Sequence, residues 1–193
     1  MKSAIITNLE EIRRRAREHV TSGAVTAHYH ADREKVIALL NEALATEIVC
    51  VLRYRRHYYM ASGIDSLSVA DEFKEHAEDE EQHVAWISER IVELNGEPNL
   101  DPKGLVERST TDYAPGRDLV DMIKEDLIAE RIVIDSYTEI IRFLGSDDPT
   151  TRRMLERILE QEEEHAEDLA SLLGGGSSQQ AAVSSKVPLG KTG

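Results

Sequence analysis

Two short motifs in this chain place a carboxylate and an imidazole three residues apart. Glu80 precedes His83, and Glu162 precedes His165. In a helix, residues i and i+3 lie side by side on one face. Each pair would therefore offer one oxygen and one nitrogen ligand to the same metal ion. A single Glu-x-x-His motif arises easily by chance in a glutamate-rich chain, so its surroundings decide how it is interpreted.

The surroundings are four predicted long helices, each with an apolar stripe that a glutamate interrupts. The stripes repeat at three- and four-residue spacing, which is typical of helix faces buried in a bundle. The interrupting residues, in chain order, are Glu47, Glu80, Glu130 and Glu162. Each lies 15 to 17 residues from the glycine, Gly63 or Gly145, that ends the first helix of its hairpin. At 1.5 Å per residue this is about 23–25 Å, so the four carboxylates are predicted to form one layer near mid-helix.

Such a layer requires positive charge. Four buried carboxylates without compensation would cost several kcal/mol each, and no lysine or arginine interrupts the stripes at that level. Two divalent cations would balance the four negative charges. Mixed oxygen and nitrogen ligands suit iron or manganese, whereas zinc usually takes fewer ligands and calcium avoids imidazole. The sequence therefore predicts a di-metal centre and leaves iron and manganese open.

The predicted fold is all-α, with scarce aromatic residues (5%) and abundant helix formers. Caps and breakers place the four long helices at about 32–61, 66–94, 118–144 and 149–173. A proline-containing connection of roughly twenty residues separates the second helix from the third, which is long for neighbouring helices and implies a crossover. The predicted architecture is a four-helix bundle made of two hairpins joined by that crossover.

Three segments make up the chain in this interpretation. Residues 1–31 are an N-terminal extension with a short helix, 8–20, for which Asn8 is the cap. Residues 32–173 form the bundle. Residues 174–193 are rich in glycine and serine and lack apolar periodicity, so they are predicted to be a flexible tail.

The formal net charge of −14 opposes binding to nucleic acids and anionic membranes and favours cations. The basic run at 13–17 could contact DNA, but neighbouring glutamates favour a solvated helix face. A single cysteine, Cys50, allows no internal disulfide. The start of the chain lacks a signal-peptide pattern, and no stretch approaches the ~20 apolar residues of a membrane span. The sequence therefore predicts a soluble, cytoplasmic protein.

Taken together, these motifs resemble the ferritin-like di-iron carboxylate proteins over about residues 32–173, particularly bacterioferritin, with Dps-like ferritins as further relatives. That family takes one glutamate from each of two helices and a Glu-x-x-His motif from each of the other two. The matching segments are Glu47 to Tyr54, Asp79 to His83, Asp126 to Glu130, and Glu162 to His165. The resemblance implies a di-iron centre in which Glu80 and Glu162 bridge the irons, Glu47 and His83 hold one of them, and Glu130 and His165 hold the other.

The same resemblance implies a ferroxidase that oxidises Fe(II) with O2 or H2O2 for iron storage or detoxification, in a homo-oligomeric cage of 12, 24 or fewer subunits. Haem is not expected, because Glu81 stands where bacterioferritin has its haem-ligating methionine. An intrachain site also differs from Dps proteins, which usually place their iron between subunits. A non-storage oxidase or peroxidase, a manganese catalase-like enzyme and a metal-free structural or DNA-compacting bundle are the alternatives.

Residues near the predicted ligands allow more than one interpretation. Tyr54 and Tyr137 each follow a layer glutamate by seven residues, which suggests a pseudo-twofold site. Both could be core tyrosines, although Tyr54 could also donate an electron. Asp126 and Asp79 could orient the ligand histidines from behind, but an acidic helix face accounts equally well for Asp79. His57 and His76 are interpreted as ordinary helix residues.

Overall fold

The computed structural model describes residues 8–184 except 19, 24, 27, 64 and 65, and of residues 175–184 it describes only the backbone. The regular elements of this part of the chain are all helical. They are α1 (Leu9–Arg15), a 3-10 turn (Val20–Ser22), α2 (Arg33–Met60), α3 (Ser66–Glu93), α4 (Leu105–Arg108), α5 (Leu119–Leu144) and α6 (Pro149–Ser184). The all-α class and the four-helix bundle are confirmed. Among the described residues, no helix combines the length and apolar content needed to cross a membrane.

The predicted caps set the ends of the long helices. Asp32 accepts a hydrogen bond from the Lys35 backbone at the start of α2, and Asp118 does the same for α5. At the end of α3, Asn95 adopts a left-handed conformation (φ 61°), and the Gly96 amide donates to the Ile91 carbonyl at 2.8 Å. The chain therefore turns sharply out of α3 into the crossover.

The crossover lies along α2 and is fixed there by polar side chains. The backbone amide of Thr110 donates to Thr46 at 2.9 Å, and that of Asn99 donates to Asn41 at 2.7 Å. Arg53 donates to the Asp112 carbonyl at 3.2 Å. These bonds pair backbone groups that would otherwise be left unsatisfied beside the bundle. The long connection is thus an ordered strap across α2.

Two helix ends differ from the predictions. Helix α1 ends at Arg15, before the predicted end at residue 20, although Asn8 caps it as expected. Helix α6 continues to Ser184, past the predicted end near Leu173. No proline follows 173 until residue 188, and an existing helix gains one hydrogen bond for each residue added, so a glycine-rich segment can continue it. Residues 185–193 of the predicted tail lie outside the described part of the chain.

The layer of predicted ligands divides the hydrophobic core in two. One cluster, beside the α3 end, contains Leu40, Leu44, Ile87 and Leu155. The other, beside the α3 start, contains Tyr54, Phe73, Ile123 and Leu169. Because apolar packing lies on both sides, the polar layer between them is shielded from water. The fold therefore holds its carboxylates in a dry environment.

Asp148 connects the start of α6 to two other parts of the fold. It accepts from the Thr151 amide at 2.9 Å, from Arg90 at 3.1 Å and from the Tyr29 hydroxyl at 2.9 Å. Burial raises the pKa of Asp148, but the hydrogen bonds from Thr151 and Tyr29 and the Arg90 charge outweigh it and lower the pKa. The ionised form is therefore the one that stabilises the fold.

We expect Asp148→Ala to lower the free energy of unfolding by about 2–4 kcal/mol, because it removes a helix cap and the buried carboxylate partner of Arg90, which keeps only the more exposed Glu93 as an ion-pair partner. The loss should be full at neutral pH and shrink as acid protonates Asp148, since the stabilisation from a lowered folded pKa is complete above the unfolded pKa and is lost as pH falls through the folded pKa. Denaturant unfolding measured against pH tests this. Exposed Asp147→Ala is the control, and equal losses in the two variants would contradict the assignment.

Candidate metal centre

The six predicted ligands lie in one layer at the middle of the bundle. Helix α2 supplies Glu47, α3 supplies Glu80 and His83, α5 supplies Glu130, and α6 supplies Glu162 and His165. All six are buried, with at most 4% of each residue exposed. The structure thus brings together every residue that the motifs singled out as a ligand.

The ligand atoms fall into two overlapping groups, in each of which the atoms lie within 4.8 Å of one another. One group contains Glu47, Glu80, His83 and Glu162, and the other contains Glu80, Glu130, Glu162 and His165. His83 Nδ1 lies 3.2 Å from Glu80 Oε2 and 3.3 Å from Glu47 Oε2. His165 Nδ1 lies 3.6 Å from Glu162 Oε2. Only the glutamates Glu80 and Glu162 belong to both groups, as expected for residues that bridge two ions. Their role as ligands stays a prediction.

Several polar atoms in the layer are buried without a hydrogen-bond partner. They are Glu80 Oε1, Glu130 Oε2, both oxygens of Glu162, and His165 Nδ1. Glu162 Oε1 approaches His83 Nδ1 to 3.1 Å, but without hydrogen-bond geometry. Unsatisfied acceptors are costly in a dry core. Lone pairs that converge on one space are the arrangement that a cation satisfies, so the residues present fit a pair of metal ions.

Protons substitute for metal charge in this layer. Burial is the largest cause and the charge of Glu162 the second largest that raise the pKa of both Glu80 and Glu130 well above the usual value. Burial acts in the same direction on Glu162, but the neighbouring imidazoles of His165 and His83 outweigh it and lower its pKa. Burial lowers the pKa of His165, but Asp79 and Glu162 outweigh it and raise the value to about 10. The metal-free site is therefore neutralised by protons that bound cations would displace.

Two tyrosines connect the halves of the site reciprocally. Tyr54 of α2 donates its hydroxyl hydrogen to Glu130 of α5, and Tyr137 of α5 donates to Glu47 of α2. Burial raises the pKa of both phenols, with Glu130 and Glu47 adding to it. Both tyrosines therefore stay protonated and hold one oxygen of each glutamate. This cross-pairing is what the pseudo-twofold interpretation expects.

The far nitrogen of each site histidine faces an oxygen acceptor. His165 Nε2 lies 3.4 Å from Asp79 Oδ2, and His83 Nε2 lies 3.3 Å from Gln161 Oε1. An acceptor at Nε2 favours hydrogen there and turns the Nδ1 lone pair toward the carboxylates. Asp79 was a candidate from its sequence position, whereas Gln161 was not predicted. The signal was present, because each of these residues directly precedes a glutamate of a Glu-x-x-His motif.

Asp126 forms its hydrogen bonds with residues other than the site histidines. Its two oxygens bind Arg53 Nε and His57 Nδ1, each at 2.7 Å. The hydrogen bonds described therefore connect Asp126 to Arg53 and His57 and not to a histidine of the Glu-x-x-His motifs. His57, interpreted as an ordinary helix residue, is fully buried in this network. Arg53, six residues and about 9 Å along α2 from Glu47, is a buried cation whose charge Asp126 matches.

Comparisons with known proteins agree with this architecture. Bacterioferritin from Desulfovibrio desulfuricans is 31% identical over 127 residues, which cover 65% of this chain and 67% of that protein. A nutrient stress-induced DNA-binding protein from a Synechococcus species is 32% identical over 127 residues, 62% of this chain and 70% of that one. A dodecameric thioferritin, the bacterioferritin-related protein of Bacteroides fragilis, superposes with a TM-score of 0.76 at 34% identity, covering 79% of this chain and 92% of that chain.

The family assignment extends over the whole bundle. Residues 37–177 match the ferritin model, described as a ferritin-like domain. This range contains all six residues of the layer. It begins inside α2 and ends inside α6, so it includes both hairpins and the crossover. The chain therefore belongs to the ferritin-like domain family.

Proposed function

We propose that this protein is a ferroxidase that binds two Fe(II) ions in the carboxylate layer and oxidises them for iron storage or detoxification. The observation that carries the proposal is the set of five buried polar atoms without hydrogen-bond partners, all in one layer. Family membership supports iron as the metal, since bacterioferritin is among the relatives. Manganese remains compatible with the same oxygen and nitrogen donors.

The residues of the layer have distinct tasks in this proposal. Glu80 and Glu162 hold both ions, Glu47 and His83 hold one, and Glu130 and His165 hold the other. Four carboxylates favour the higher charge of Fe(III) and so assist oxidation. Tyr54 and Tyr137 fix one oxygen of Glu130 and one of Glu47, which leaves the second oxygen of each for metal.

Iron is the substrate and the electron source. Two Fe(II) ions give up one electron each, and these two electrons with two protons reduce O2 to H2O2, or H2O2 to two waters. Stopped-flow mixing of anaerobic Fe(II) protein with either oxidant tests the proposal. A rapid phase that saturates at two irons per chain is expected. Oxidation no faster than in protein-free buffer would overturn it.

Storage additionally requires an enclosed volume, which a single bundle lacks. We propose a homo-oligomeric cage, and the B. fragilis relative, described as dodecameric, supports twelve subunits. A chain truncated after Leu173 should retain rapid oxidation, because every proposed ligand of the carboxylate layer precedes residue 166. Stopped-flow assays on the truncated protein check this. Loss of the rapid phase in a folded truncated protein would show that the segment beyond 173 contributes to the site.

A non-storage oxidase is the second candidate. A groove of about 300 Å³ between α2 and α5, lined mainly by apolar side chains, reaches Thr46 and Tyr137. It would suit access by a small uncharged molecule. Light scattering separates the two functions: a closed cage supports storage, and a stable monomer or dimer at micromolar concentration supports the oxidase.

A further inference from the structure

A second cluster of metal-ligand side chains lies beside the carboxylate layer and has no role in the oxidation proposed above. It consists of Glu72 and His76 from α3 and Asp168 from α6. His76 is buried, Glu72 is partly exposed and Asp168 is exposed. His76 Nε2 lies 3.3 Å from Glu72 Oε1 and 4.0 Å from Asp168 Oδ2. The buried imidazole thus faces outward toward two carboxylates.

The hydrogen bonds behind His76 determine which of its nitrogens carries hydrogen. Tyr54 has one hydroxyl hydrogen, and it donates this hydrogen to Glu130. The Tyr54 oxygen, 3.3 Å from His76 Nδ1, can therefore only accept from that nitrogen. A neutral His76 then carries its hydrogen on Nδ1 and presents a lone pair at Nε2. Three potential ligand atoms, one nitrogen and two oxygens, therefore converge at this point.

The spacing of these acceptors suits a small divalent cation. Ligands about 2.0–2.2 Å from a tetrahedral ion lie roughly 3.4 Å from one another, near the distances found here. Burial and then the neighbouring Asp168 charge raise the pKa of Glu72, as expected for carboxylates that lack a counter-ion. The exposed side of the cluster leaves room for water ligands.

The position of the cluster suggests its purpose. The His76 ring stacks on the ring of His165, with centroids 4.0 Å apart and planes at 22°. On its other side, Asp168 borders an acidic surface of α6, formed with Glu160, Glu163, Glu164 and Glu167. An ion at the cluster would lie between a surface that attracts cations and the layer that is proposed to oxidise them.

We propose that Glu72, His76 and Asp168 form a third divalent-cation site, which holds Fe(II) in transit between the acidic surface of α6 and the di-metal layer. The transit role rests on the proposed ferroxidase function, whereas cation binding does not. An ion bound at Nε2 of His76 would lie at the edge of the imidazole ring, whereas His165 stacks on the face of that ring. The ligands of the layer would therefore not need to move. Loss of the cluster should slow iron delivery without removing the ions of the layer.

The test is X-ray diffraction at the zinc absorption edge from crystals of the full chain soaked in Zn(II), with the oligomer intact. The expected result is three anomalous peaks per chain, one of them bonded to His76 Nε2. Asp168→Asn and His76→Gln should lose that peak and keep the two peaks of the layer. Exposed Asp135→Asn, on α5, is the matched control and should keep all three.

The possible results distinguish the third cation site from the proposed ferroxidase function. Wild-type crystals with only the two layer peaks would overturn the third site, as would a third peak that persists in both variants. A peak at His76 without the layer pair would support the third site and count against the proposed function. The transit role requires, in addition, that Asp168→Asn slow Fe(II) oxidation below saturation while the rapid phase still reaches two irons per chain.

Discussion

Glu80→Ala is expected to abolish rapid Fe(II) oxidation. Glu80 belongs to both ligand groups, so its removal takes an oxygen donor from each ion and unbalances the charge of the layer. The fold should survive or gain stability, because one buried carboxylate is removed from the metal-free core. Stopped-flow oxidation and thermal unfolding of the same preparation measure the two effects.

Glu89→Ala is the control for this variant, since it makes the same change on α3 at an exposed residue. It should oxidise Fe(II) at the wild-type rate. Wild-type kinetics in Glu80→Ala would show that the layer is not the oxidation site. A slow Glu89→Ala would show that the assay responds to the surface charge of α3 and not to the layer.

Metal loading is expected to stabilise the protein by about 4 kcal/mol at a free-metal concentration a thousandfold above Kd, because metal binds only the folded chain. In the metal-free protein, the raised pKa values of Glu80 and Glu130 keep protons on these groups, and bound ions would replace those protons. Thermal unfolding with and without Fe(II), under anaerobic conditions, should therefore show a higher Tm for the loaded form. The increase should be much smaller in Glu80→Ala, whereas equal Tm values in the wild type would rule out a tight site.

The layer could be predicted from the sequence because it breaks a strong pattern. A glutamate on a buried stripe is conspicuous, and the equal distances to Gly63 and Gly145 placed four such residues at one height. The face on which a residue lies and its height along the helix both follow from the regular geometry of a single helix. The structure brings these residues together as the stripes indicated, in a bundle whose crossover and caps were also expected.

Contacts between helices could not be predicted in the same way. Asp126 lies four residues before Glu130, which made it a candidate for orienting a ligand, but its orientation toward Arg53 and His57 depends on how α2 packs against α5. Gln161 was missed because glutamine is a common residue on exposed helix faces, and only the packing of α6 on α3 shows its contact with His83. The continuation of α6 past Leu173 reflects the helix that precedes this segment, and composition alone could not show it.

The most direct measurement of the central claim is X-ray diffraction at the iron absorption edge, from crystals soaked in Fe(II) without oxygen. The account predicts two iron peaks about 3.5–4 Å apart in the layer, with Glu80 and Glu162 bonded to both. Glu47 and His83 should complete one site, and Glu130 and His165 the other. A single iron in the layer, or iron bound only at the acidic surface, would contradict the account.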